Sequence, residues 1–298
     1  MVMTIPSRTS LPTKREGKRE RRRRLIRYSW TYVGLAPFLV IAAFPSYWML
    51  ITALKQDQDL YRVTNNPFWF NLPLTFQHVT YLFTNTDFVQ WAGNSLFISF
   101  FVVVITLGLT IPAAYALTRL RPPGSQLLSI TMFTSYLVSP IILFIPLSRV
   151  ISLLQLQDKI WSLIVTYPSF TIPFCGWLLM GFFKTIPSEI EDAALIDGCG
   201  RVRALLHVVL PVTMAGVLTI VIFAFTLVMQ EFIYALAFIS DNAAKPLPIA
   251  VVTVLIRGDV YFWGSLMAAA LIGGLPIAIL YSFFLDQFVS GITSAAVK

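Results

Sequence analysis

Charge is what this sequence has least of. Asp, Glu, Lys and Arg supply 12% of its 298 residues, about half the share of an ordinary soluble domain. With so few charges, a soluble fold could not cover a core drawn from the 57% of residues that are hydrophobic. Cysteine is nearly missing, and Cys175 and Cys199 give no disulfide framework. The two histidines, His78 and His207, lie far apart without flanking ligands, so no metal site is expected. No G-x-x-x-x-G-K-S/T motif occurs. Gly17-Lys18 lacks both the leading glycine and the hydroxyl residue, so the chain cannot cradle ATP in that way. Glu191, Asp192 and Asp197 cluster without a base or metal partner, which leaves an enzyme the least favoured class.

What is present is long apolar sequence. Residues 28–54, 88–118, 122–148, 160–183 and 260–285 carry no Asp, Glu, Lys or Arg, and 208–240 is interrupted only by Glu231. Each run exceeds the roughly 20 residues that a helix needs to cross about 30 Å of hydrocarbon. Backbone groups in lipid must be satisfied within their own segment, so helices rather than open sheet are expected. The reading is an all-α membrane protein with six spans, near 30–54, 92–118, 127–152, 160–183, 212–239 and 261–285. The longest runs are expected to tilt, break or lie partly in the interface.

Positive charge orients these spans. Ten Lys/Arg precede the first, between Arg8 and Arg27, and such residues stay on the cytoplasmic side. Alternating six spans then places both termini, 119–121 and 184–211 inside, with sixteen Lys/Arg inside against six outside. Residues 1–27 form a basic cytoplasmic tail, expected to be disordered because it has few apolar anchors. Its Arg21–Arg24 run suits anionic lipid, and nucleic acid is not an expected partner.

The inner loop 184–211 reads as structured. Pro187 suits a first helical turn, and Ser188 with Glu191 fits a capping box. Glu189, Glu191 and Asp192 face the positive end of the helix dipole. Gly198 provides a left-handed stop, and a second short helix should run from about Val202 to Pro211. Ile190, Ala193, Ala194 and Ile196 give the first helix an apolar stripe. A helix resting on lipid headgroups prefers basic residues. This one is acidic, which favours a protein partner.

These residues resemble the EAA loop of permease subunits in binding-protein-dependent ABC importers, E-A-A-x3-G-x9-I-x-L-P. Asp192, Ala193, Ala194, Gly198, Val208, Leu210 and Pro211 fall at its spacings, with Asp192 in place of Glu and Val208 in place of Ile. Residues 177–198, Gly93-Asn94-Ser95, Gln230-Glu231-Phe232 and the GITSAAV tail are similar to the carbohydrate-uptake branch, of maltose-permease type. The resemblance implies a six-span, type I (MetI-like) permease bundle in the cell membrane. It also implies a second permease subunit, two cytoplasmic ATPases carrying ATP and Mg, and an outer solute-binding protein. No cofactor is expected on this chain. Glu191, Asp192, Ala193, Ala194, Asp197, Gly198, Leu210 and Pro211 become candidates for coupling to the ATPase.

Three residues are candidates for a solute path. Glu231 is costly inside a span and should face the bundle interior, as a path residue or as a polar anchor. Asn94 is either a helix-end packing residue or a solute contact. Tyr234, three residues after Glu231, shares its helical face and is open to packing or to stacking on a sugar. A permease for another solute, or an ion-coupled secondary transporter, is the alternative. The latter usually carries internal repeats and more intramembrane charge.

Overall fold

A computed structural model describes residues 14–258 and 260–296, with side chains from 32 to 285 apart from 140 and 259. The first helix, α1 (Lys14–Leu54), is followed by an outer segment with α2 (Asp57–Leu60) and α3 (Gln77–Asn85). The second span, α4 (Phe88–Tyr115), widens into a π turn at Ala116–Leu120. Next come α5 (Ser125–Tyr136), α6 (Pro140–Leu153), α7 (Ile160–Thr166) and α8 (Pro168–Thr185). The inner hairpin holds α9 (Ser188–Ile196) and α10 (Arg201–Ala204), a π turn at Leu205–Val209, and α11 (Leu210–Val212). The chain finishes with α12 (Met214–Met229), α13 (Ile233–Phe238), α14 (Leu247–Leu255), a two-residue ladder of β1 (Ile256–Arg257) on β2 (Val260–Tyr261), and α15 (Trp263–Ala296).

Among the described residues, four helices are long and apolar enough to cross a membrane: Tyr32–Leu54, Phe88–Leu120, Ile160–Thr185 and Trp263–Leu285. Counting each of two bent pairs as one span raises the number to six. The expected span 127–152 is one of them, since α5 and α6 meet at 97°. The physical reason is Pro140. It starts α6 and excludes Ser139 from helical geometry, so Ser139 sits extended at φ −59°, ψ 134°. The expected span 212–239 is likewise not continuous, because α12 stops at Met229 and α13 starts only at Ile233.

Two further expectations are corrected. The basic tail is helical from Lys14 onward, in one run with the first span. Arg, Lys and Glu are good helix formers, and an apolar helix already nucleated beside them makes extension inexpensive. Residues 1–13 of that tail lie outside the described residues. Pro211 does not end the second hairpin helix, which runs on to Val212 before an 81° bend into α12. The preceding π turn closes a five-residue step from the Leu210 amide to the Leu205 carbonyl. Such local adjustment lets a proline stay in a helix.

Packing holds the spans together, since lipid offers no hydrophobic drive between helices. An inner cluster joins Ala114, Tyr115, Leu179, Phe183, Leu205 and Ile220 from α4, α8, the hairpin and α12. A central cluster joins Ile98, Leu163, Tyr167, Tyr234 and Phe238. Thr106 and Thr171 share a hydrogen bond of 2.7 Å between α4 and α8. An outer cluster seats Trp91 of α4 with Leu82 of α3, Leu255 of α14 and Ala268 of α15. The helix α14 and its hairpin were not expected from the sequence of 241–259.

The outer segment after α1 is folded around a buried acid. Asp59 accepts hydrogen bonds from the Asn65 side chain (2.7 Å) and from the Asn71 amide (3.0 Å) and side chain (2.8 Å). Lys55 Nζ lies 3.7 Å from it and donates to the Asn66 carbonyl at 2.7 Å. Burial alone would raise the Asp59 carboxyl. The bonds from Asn71 and Asn65, with the Lys55 cation, outweigh it and hold the acid below its ordinary value. A depressed acid stabilises the fold above the unfolded carboxyl value of about 4 and loses that effect as pH falls through the folded value. Limited proteolysis of the protein in detergent should therefore leave 55–76 intact at neutral pH and cut it only well below pH 4. Asp59→Asn should raise the cutting rate at pH 7 about tenfold, as expected when buried donors lose their partner. An unchanged rate would remove Asp59 as the organiser of this segment.

Candidate functional site

The coupling candidates divide into two sets with different surroundings. Helix α9 ends as the sequence predicts. Gly198 takes φ +87°, the Cys199 amide donates to the Ala194 carbonyl at 3.0 Å, and the Gly198 amide donates to the Leu195 carbonyl at 3.1 Å. This pair of bonds is a Schellman motif, and it satisfies carbonyls that the helix end would orphan. Asp192, Ala193, Asp197 and Gly198 are all exposed, and Ile196 is 86% exposed. They form the outward face of the hairpin.

The other end of α9 departs from expectation. Pro187 is the residue before the helix rather than its first turn, and no side chain caps the end. The proposed box between Ser188 and Glu191 is not formed, because the Glu191 carboxylate has better partners. It accepts from the Tyr115 hydroxyl and lies 3.6 Å from Arg119 Nε. Glu191 is only 5% exposed, and Ala194, one turn on, is also buried. The apolar stripe expected over Ile190, Ala193, Ala194 and Ile196 is thus split, with Ala194 inside and the other three outside. Leu210 and Pro211 sit at the bend into α12, away from the outward face of α9, and Leu210 packs on the inner cluster.

The solute-path candidates also separate. Glu231 lies in the break between α12 and α13. Its Oε2 accepts from the Tyr167 hydroxyl at 2.7 Å and from the Ala235 amide at 3.2 Å, while Oε1 accepts from the Tyr234 amide at 2.9 Å. The carboxylate therefore occupies the positive end of α13, where amides would otherwise lack partners. Beside it opens a cleft of about 540 Å³, lined by Gln230, Glu231 and Phe232, by Phe170 of α8, and by Tyr136 to Ser139 at the α5–α6 bend. The two broken spans thus face one space, as irregular backbone at membrane depth requires a protein or water lining.

Tyr234 borders that cleft but is fully buried, with its ring stacked between Phe170 (6.2 Å) and Phe238 (5.8 Å). In this arrangement its face is not available to a sugar. Asn94 does not line the cleft. It donates to the Ala243 and Lys245 carbonyls at 2.8 and 3.0 Å, while Trp91 Nε1 reaches the Asn242 carbonyl at 3.0 Å. The outer end of α4 so fastens the loop that leads to α14. Sequence reasoning missed Tyr115, Arg119, Tyr167 and Phe170. Only Arg119 carried a signal, as the first charge after a long apolar run.

Known proteins give this arrangement its relatives. Residues 105–294 match the family model of the binding-protein-dependent transport system inner membrane component. The chain is 33% identical over 269 residues to the inner membrane ABC transporter permease protein YcjP of Escherichia coli, covering 90% of this chain and 95% of that protein. It is 33% identical over 270 residues to the sulfoquinovosyl glycerol transport system permease protein SmoH of Agrobacterium fabrum, covering 90% and 93%. Identity is 27% over 274 residues to the trehalose/maltose transport system permease protein MalG of Thermococcus litoralis, covering 89% and 95%. Among solved structures, a bacterial ABC transporter that imports the acidic polysaccharide alginate shares the fold. Its TM-score is 0.75 at 17% identity, covering 94% of this chain and 100% of that one. A family match over most of the chain, over spans that the fold independently lays out, makes this protein a member of the binding-protein-dependent transport system inner membrane component family, an ABC importer permease subunit.

Proposed function

We propose that the chain forms half of the translocation path for a carbohydrate and takes its drive from a separate ATPase docked on 184–211. The observation that carries this reading is the outward face of α9. An acidic, apolar-edged helix, closed by a Schellman turn, presents Asp192, Ala193 and Ile196 beside a basic end of the bundle. A protein groove suits that face better than headgroups do. The relatives named for trehalose/maltose and sulfoquinovosyl glycerol favour a sugar or polyol. The cleft beside Glu231, with aromatic and amide side chains at two broken spans, is a fitting place for it. In this reading both termini are cytoplasmic. A second permease subunit completes the path, two ATPases supply ATP hydrolysis, and an outer binding protein delivers the solute.

The test is a cross-link from Ala193→Cys in membranes carrying the whole transporter, together with uptake of a panel of labelled mono- and disaccharides. Capture of an ATPase subunit and ATP-dependent uptake of a sugar are expected. Uptake by the purified permease in vesicles without an ATPase would overturn the reading in favour of an ion-coupled carrier.

A further inference from the structure

Glu191 is the one charged residue of α9 that is buried, and its surroundings say why. The carboxylate meets Tyr115 and Arg119, which sit four residues apart at the inner end of α4 and in the π turn that follows. Arg119 does more than face the acid. Its Nη2 donates to the Phe183 carbonyl at 2.9 Å and to the Ile186 carbonyl at 2.8 Å. Those carbonyls belong to the last turn of α8 and to the two-residue link into α9. A cation there also meets the negative end of the α8 dipole. The Tyr115 ring packs edge-on against Phe183 at 6.4 Å. Two residues of one segment remote in sequence thus close on the acid, and Arg119 ties that segment to the end of α8.

We propose that Tyr115 and Arg119 are positioning residues for coupling: they hold Glu191 inward so that α9 and the inner ends of α4 and α8 move as one body. The proposal rests on 184–211 being the ATPase-docking loop. Sliding α9 away from the bundle would strip the buried Glu191 carboxylate of its partners, which is strongly resisted. Pressing α9 inward is resisted as well, because the Tyr115 hydroxyl is already in contact with the carboxylate. Arg119 Nε is buried and makes no hydrogen bond. Closing its 3.6 Å separation from Glu191 by about half an ångström would complete one. The contact thus resists both a pull and a push. Push and pull from the ATPase reach α4 and α8 directly, and the inner cluster around Phe183 carries them to α12.

The experiment uses the whole transporter with its ATPases, carrying Cys175→Ala and Cys199→Ser. Spin labels are placed at Ile196→Cys on the outward face of α9 and at Leu120→Cys at the end of the π turn, both exposed. The label distance is read without nucleotide and after trapping with ATP and vanadate. For a single body it should agree within about 2 Å between the two states, against the about 5 Å of a one-turn slip. Tyr115→Phe, which keeps the ring on Phe183 and removes one donor, should broaden the distribution, and Arg119→Met should broaden it further. A purely structural role would lower the yield of these variants without altering the distance in the protein that assembles. A wild-type distance that shifts by a helical turn on trapping overturns the proposal. So does a wild-type distribution in both variants. Failure of the ATPase to co-purify with the unsubstituted chain would remove the docking loop itself, and the proposal with it.

Discussion

Gly198→Val should reduce sugar uptake by about two orders of magnitude while the protein still reaches the membrane in normal amount. The residue sits at φ +87°, and a Cβ there would meet nothing within 4 Å. The damage therefore comes from backbone conformation alone, because a β-branched residue tolerates the left-handed region poorly. That strain is on the order of 1–3 kcal/mol. Relieving it by opening the turn would also release the bonds from the Cys199 and Gly198 amides, which define where α9 stops. The outward face would then lose its fixed relation to the bundle. A graded series is the proper check, with Gly198→Asn near wild type, Gly198→Ala intermediate and Gly198→Val inactive, since Asn tolerates this conformation best of the three. Uptake rates normalised to immunoblotted membrane protein would read it. A valine variant with wild-type uptake would refute the role of this turn.

Glu231→Ala is the second large effect expected. The substitution strands the Tyr167 hydroxyl and the Tyr234 and Ala235 amides, which have no water to turn to unless the cleft floods. Leaving buried donors unsatisfied costs about 1–3 kcal/mol for each group, so a loss of several kcal/mol is on the right scale. The α12–α13 break should lose its geometry, with lower thermal stability in detergent and less protein in the membrane. Uptake should fall in step with that loss. Glu231→Gln keeps one acceptor oxygen and should fall between. If the alanine variant accumulated and melted like wild type yet imported nothing, the carboxylate would be serving the solute rather than the fold. Thermal scans beside uptake assays separate the two outcomes.

Much of the architecture was readable from residue order because crossing a membrane is a local requirement. A run such as 88–118 without charge has few fates, and the helix there spans Phe88–Tyr115 before the π turn. The stop at Gly198 was readable for the same reason, since positive φ is a property of one residue and its neighbours. Interruptions within spans were harder. Ser139-Pro140 gave a local hint, but the α12–α13 break depends on Tyr167, 64 residues before Glu231. Glu191 shows the limit most plainly. Its spacing from Ser188 fits a cap, yet Tyr115, 76 residues away, takes the carboxylate instead. A local rule was overruled by a partner visible only in three dimensions. The helix Leu247–Leu255 was a missed signal rather than an absent one, because Pro246 and Pro248 open an apolar run that a helix start would explain.

The first span is held along one side only. Of its most apolar stretch, 6% is buried, and its neighbours are α15 and α3. Its 23 residues reach about 34 Å, slightly more than a typical hydrocarbon layer of about 30 Å. Most of its flank is left for lipid or another subunit to cover. A thinner bilayer should therefore lean this helix before it disturbs the tightly interlocked spans behind it, and a poorly matched detergent should loosen it first.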